Sequence, residues 1–117
     1  MKRSSRLSRS EDINRVRLDG SSYVHESLVL GTKTNPFDHN RYAIIAGKSV
    51  GNAVNRNFAK RRLRSAVDYY KLEIKQGYDL VLIARRSILN IEYSHLLDGL
   101  RNLLTQADLL KETKVDQ

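Results

Sequence analysis

YDLVLIA, residues 78–84, is a continuous apolar run interrupted only by Asp79, as in a strand buried on both faces of a sheet. It follows Gly77 and a long stretch with helical spacing, and that stretch follows RYAIIAG, residues 41–47. There Ile44 and Ile45 favour extended backbone, and Gly47 ends the strand. Strand, long helix, buried strand is an order in which the helix carries the chain back, so that the two strands can lie parallel. No other feature constrains the fold as much. A chain of 117 residues has room for one core and not for two, so the remaining elements must pack on this unit.

A short helix is predicted over residues 10–18. Ser8 and Glu11 have capping-box spacing, Glu11 and Asp12 suit a first turn, and Gly20 marks the stop. YVHESLVLG, residues 23–31, reads as a strand through Leu28, Val29 and Leu30. TNPFDHN, residues 34–40, is turn chemistry around Pro36. The long helix is placed from Asn52 to Gln76, punctuated by Gly77. A last helix fits 91–110, where Leu96, Leu97, Leu100, Leu103, Leu104 and Ala107 recur at helical spacing. The order α-β-β-α-β-α predicts an α+β two-layer sandwich, a small mixed sheet with helices packed on it. Residues 1–9 read as a basic, flexible tail and 10–117 as a single α+β domain.

The chain carries 21 Lys+Arg against 13 Asp+Glu, a formal net charge of +8, and a surplus of that size attracts polyanions. It is unevenly spread. No acid occurs between Asp38 and Asp68, where Arg41, Lys48, Arg56, Lys60, Arg61, Arg62 and Arg64 fall, and Lys2, Arg3, Arg6 and Arg9 crowd the N-terminus. On a helix at about 100° per residue, Ala59, Leu63, Ala66, Val67, Tyr70 and Ile74 make a core-facing stripe. Arg56, Lys60 and Arg64 form a ladder beside it, extended by Lys71 and Lys75, while Asn57 and Arg61 lie on the adjoining solvent face. Asn52 and Asn55 sit at the helix start, where unpaired N–H groups and the positive end of the dipole also suit phosphate.

A charged helix face is usually just solvated. Here the first acid at i±4 is Asp68, opposite Arg64, so the cations repel one another unless an anion relieves them. Arg outnumbers Lys in the run, and its planar fork matches phosphate and base edges. The opposite face is core rather than an exposed apolar wedge, which favours nucleic acid over a membrane surface.

Catalysis by protein groups finds no support. The absence of Cys removes disulfides, thiolate metal sites and a Cys nucleophile. His25, His39 and His95 have no ligand spacing, and the first helical turn accounts for Glu11 and Asp12. Glu92 and Asp98 lack a partnered acid for a two-metal centre, and Gly47 and Gly51 flank Lys48 without P-loop spacing. No catalytic or metal-ligating residue is assigned. No apolar run reaches the roughly 18 residues of a membrane span, and no secretory signal is legible. The expected location is the cytoplasm, with no membrane partner.

Lys48-Ser-Val-Gly51-Asn52-Ala53-Val54-x-Arg56-Asn57-x-x-Lys60-Arg61-x-x-Arg64 resembles the RNR motif of the bacterial ribonuclease P protein family. Arg6-Leu7, Glu11-Asp12, Gly20, and Tyr78-Asp79 through Ile83-Ala84-Arg85 extend the resemblance over most of the chain. It implies a fold like the second domain of ribosomal protein S5, with a left-handed βαβ crossover where general rules give a right-handed one. It also implies a protein that assists a catalytic RNA in removing the 5′ leader of precursor tRNA, with the RNA and its bound Mg²⁺ performing the hydrolysis. The partners implied are the catalytic RNA and precursor tRNA; dimerisation is left open. By the same resemblance Lys48, Asn52, Asn55, Arg56, Asn57, Lys60, Arg61 and Arg64 bind the catalytic RNA. Ile13, Arg17, Lys48 and Arg85 border a cleft for the leader.

The chain departs from that pattern at several positions. Phe58 stands where a third basic residue is usual. Ile13 and Arg17 stand where the first helix usually offers aromatics, Gly31 where a strand aromatic is common, and Glu26 near a usual Arg position. Base–aromatic stacking is a common grip on single-stranded RNA. These departures therefore predict a shallower leader site leaning on Arg17, Lys48 and backbone groups. The competing readings are a ribosomal-type or chaperone-like RNA-binding module with no part in cleavage, and a self-sufficient protein nuclease.

Overall fold

The computed structural model describes residues 3–112, without the side chain of Arg3. Its elements are α1 (Ser10–Asp19), β1 (Ser21–Val24), β2 (Leu28–Thr34), β3 (Arg41–Ile45), α2 (Ala53–Tyr70), β4 (Tyr78–Ala84) and α3 (Tyr93–Gln106). One mixed sheet runs in the order β1-β2-β4-β3. The β1–β2 and β2–β4 pairs are antiparallel, and β3–β4 is parallel with α2 as its crossover. β4 is therefore an inner strand, which accounts for its apolar run.

Alternation along the strands separates two cores. Leu28, Leu30, Tyr42, Leu80 and Leu82 face α2 and α3, meeting Ala59, Leu63 and Val67 and the leucines of α3. On the other face Ala43 and Val81 pack with Leu7 and Val16, flanked by Ile13, Ile45 and Ile83. α1 lies close against this second face. A Cβ at Gly20 would collide with the Thr32 carbonyl, and one at Gly31 would press on Val16.

Several boundaries differ from the sequence reading, among them the last helix, read over 91–110 and spanning Tyr93–Gln106. The strand read over 23–31 is a hairpin: the chain reverses at His25–Ser27, where the His25 N–H donates to the Leu28 carbonyl at 2.9 Å. The His25 Nδ1 lies 3.0 Å from the Ser27 hydroxyl, so side chains close a turn that has no Gly, Pro or Asn. Gly31 lies within β2 and does not end it.

α2 stops at Tyr70, short of Gln76, because Ile74 becomes extended and pairs antiparallel with Leu110. Asp108, at φ 57°, turns the chain after α3 so that this pairing can form. Ser8 does not cap α1, whose N-cap is Arg9 with no side-chain bond. The flexible tail read over 1–9 is anchored in its second half. Arg6 bridges to Tyr42 beside β3, the Leu7 N–H donates to the Tyr42 carbonyl at 2.8 Å, and Leu7 is only 3% exposed. Residues 1–2 of that segment lie outside the described residues.

Candidate nucleic-acid interface

The candidate interface begins where β3 ends. Lys48 opens a single 3-10 turn, Lys48–Val50, and stands exposed. Gly51 follows with φ +127°, a conformation other residues adopt only under strain, and a Cβ there would lie 2.7 Å from the Asn55 amide nitrogen. Asn52 is the N-cap of α2, its side-chain oxygen accepting from the Asn55 N–H at 2.9 Å. Asn55 is half-buried under Gly51, so both asparagines build the helix start. The exposed amide group of Asn52 also remains at the surface.

Along α2 the ladder keeps Arg56, Lys60 and Arg64 on one side but loses its extension, since Lys71 and Lys75 lie past the helix end and Lys75 pairs with Asp108 at 3.3 Å. The stripe of Ala59, Leu63, Ala66, Val67 and Tyr70 is buried, and Arg56 and Lys60 are half-buried at its border. Asn57, Arg61 and Arg64 are exposed. None of Arg56, Lys60, Arg61 and Arg64 forms an ion pair among the described residues, and the expected Arg64–Asp68 pair is absent. The Arg56 Nε is enclosed without a hydrogen-bond partner. Arg62 behaves differently from the other cations of the run. Its guanidinium donates to the Ile88 carbonyl at 3.1 Å and lies over the rings of Phe58 and Tyr93. It holds α2 to the turn before α3.

The second expected site lies on the α1 face of the sheet. Register puts Val24, Val29, Ile83 and Ile45 in one cross-strand row, next to the row Ser22, Gly31, Val81 and Ala43 that α1 approaches. Val24 is 61% exposed, and the other three of its row are half-buried. The result is a shallow apolar trough without an aromatic in its floor. Ile13 borders it but is partly spent on the core with Ala43 and Val81. Arg17, exposed one turn later, stands on the same side of α1.

Lys48 and Arg85 follow the ends of the parallel strands β3 and β4, at one end of the trough. Arg85 is tied down, its Nη1 donating to the His25 carbonyl at 3.1 Å. An open groove of about 480 Å³ along the β3 edge is lined by Arg6, Ser8, Ile13, Ile45 and Arg64 among others. Arg64 thus belongs to the ladder and to this groove, and brings the two expected sites together. Periodicity could not reveal the trough, because a row across four strands requires their register. The anchoring of Arg6 beside β3 has no local signal either.

A salt-bridged cluster fixes α1 on the sheet. The Arg41 guanidinium donates to the buried Asp79 carboxylate at 2.9 and 2.7 Å and approaches Asp12 of α1 at 3.6 Å. The Asn35 amide donates to the same carboxylate at 2.9 Å. The Arg41 pKa is raised above its usual value, first by the Asp79 hydrogen bond, against the opposing effect of burial.

The comparisons agree with this fold. The family model described as Ribonuclease P matches residues 1–108. The ribonuclease P protein component of Dehalococcoides mccartyi is 36% identical over 112 residues, covering 96% of this chain and 92% of that protein. The Streptococcus pyogenes protein of the same description is 34% identical over 112 residues, covering 96% of this chain and 93% of its own. The solved structure of the Staphylococcus aureus RNase P protein superposes with a TM-score of 0.81 at 29% identity, covering 92% of this chain and 98% of that one. Nothing among these favours the ribosomal-type or chaperone-like module. A cationic helix packed on the sheet and a matched sequence spanning nearly the whole chain lead to one conclusion: the chain belongs to the ribonuclease P protein family.

Proposed function

We propose that this ribonuclease P protein holds a catalytic RNA along α2 and the 5′ leader of precursor tRNA in the trough beneath α1. The RNA, with Mg²⁺, cleaves the phosphodiester, and no protein side chain attacks it. The observation that carries this reading is the set of cations Arg56, Lys60, Arg61 and Arg64, without ion partners among the described residues, in a chain matched by the family over residues 1–108. The surface offers guanidinium, ammonium and amide groups, which suit phosphate oxygens and not Mg²⁺. In this reading the ion would be held by the RNA, where it would supply Lewis-acid activation. The reading puts the protein in the cytoplasm with its RNA; among the described residues no helix is long and apolar enough to cross a membrane.

Cleavage of precursor tRNA by protein alone, by a ribonuclease P RNA transcript alone at low Mg²⁺, and by both tests the division of labour. Product is expected only when both are present. Cleavage by protein alone would overturn the reading, and no gain from adding protein would reduce the chain to a binding module.

The leader assignment has its own test. Arg17→Ala is expected to weaken holoenzyme binding of precursor tRNA about tenfold, the equivalent of one charge-assisted hydrogen bond of ~1.5 kcal/mol. Mature tRNA, which lacks the leader, should bind as before. An equal loss for both substrates would remove Arg17 from the leader site.

A further inference from the structure

We propose that Phe58 is a stacking platform for one unpaired nucleobase of the RNA held by the α2 ladder, an inference that rests on the function proposed above. On the helix, Phe58 falls on the flank opposite the ladder, with Asn57 and Arg61 on the ridge between them. Val54 precedes it by one turn on the same flank and is 74% exposed. The ring of Phe58 is pinned from one side. Arg62 lies over it at 5.4 Å and over Tyr93 at 5.9 Å, and is itself bonded to the Ile88 carbonyl at 3.1 Å. Tyr93 is held in turn, its hydroxyl 2.7 Å from that of Ser65. Even so, Phe58 remains 37% exposed.

A positioned aromatic with an open surface, set among cations, fits a partner that is both anionic and flat-faced. Charge complementarity commits the occupant. Arg56, Lys60, Arg61 and Arg64 make no ion pairs among the described residues, and a chain of phosphates that neutralises them carries bases across the ridge to Phe58. Every base has a π-face, so stacking there needs no particular sequence. The Arg62 guanidinium, already over the ring, fixes the plane on which the base would lie.

The chain contains no tryptophan, so Phe58→Trp introduces a single indole at the site. Saturation with a bacterial ribonuclease P RNA transcript is expected to quench its emission by stacking. Phe58→Leu keeps an apolar side chain against Arg62 but removes the ring. It is expected to bind the transcript roughly 5- to 150-fold more weakly, with an unchanged dependence on salt because no phosphate contact is lost. A thermal melt of the free variant confirms that it is folded; should it unfold, the tryptophan variant decides. Unquenched emission at saturation overturns the platform, and so does wild-type affinity in Phe58→Leu. A salt dependence flattened by about one unit also overturns it, since that would mark a lost phosphate contact of Arg62 instead. These outcomes leave the ribonuclease P function standing, because that function is tested by the ladder and by cleavage.

Discussion

Alanine at Arg56, Lys60 and Arg64 together lowers affinity for ribonuclease P RNA by at least about a thousandfold at low salt, on the basis of ~1.5–3 kcal/mol per charge-assisted contact. The slope of log affinity against log salt falls by about three units if each side chain neutralises one phosphate. Both effects follow from the same geometry, a ladder along one side of α2 with no carboxylate partner among the described residues. The free protein should not melt lower. Like charges at i, i+4 oppose the helix by about 0.2–0.5 kcal/mol per pair, and alanine is the best helix former. A retained salt slope, measured by titration at several salt concentrations, would return the three residues to the role of an ordinary solvated face. A lower melting temperature with intact binding would make them structural.

Asp79→Ala is expected to cost the free fold about 1–3 kcal/mol, the range for leaving partly buried hydrogen-bonding groups without their partner, since Arg41 is itself half-buried. The carboxylate is buried and accepts from Arg41 at two oxygens and from Asn35, so its loss strips the guanidinium of both bonds and leaves the Asn35 amide only the His39 carbonyl at 3.2 Å. Asp12 lies 3.6 Å from Arg41 and cannot replace that two-point bond. Asp79→Asn keeps the shape and one acceptor, and should fall between wild type and alanine. Urea unfolding of the three proteins measures this. A loss below about 1 kcal/mol for alanine would show that the cluster does not anchor the sheet. Because Arg41 also reaches Asp12 of α1, the surviving alanine variant should bind leader-bearing substrate less well than its RNA affinity predicts.

Features that depend on residues near in sequence were legible without the structure. The stripe and the ladder of α2 depend only on 3.6-residue periodicity, and the run of β4 announced an inner strand. Asn52 at the helix start was equally local, since a cap acts three residues along the chain. Boundaries that depend on partners were not legible. Lys71 and Lys75 continue the helical pattern, yet α2 ends at Tyr70 because Ile74 gains more by pairing with Leu110 and burying its side chain. The hairpin at His25–Ser27 was hidden because side-chain bonds, not turn-forming residues, close it. Arg62 looked like one more free cation, and only the approach of Ile88 and Tyr93 made it an anchor.

By itself the sequence pointed to a polyanion as the kind of partner and laid the cations along α2. Charge sign and helical period are properties of consecutive residues, and both point to a polyanion along α2. The tertiary structure alone decided where the apolar trough lies. The row Val24, Val29, Ile83 and Ile45 exists because three strand pairings bring those residues into register, and Arg6 stands near Arg64 because the N-terminal segment pairs beside β3. Register and docking are set by hydrogen bonds and burial between segments far apart in the chain. No local pattern encodes them.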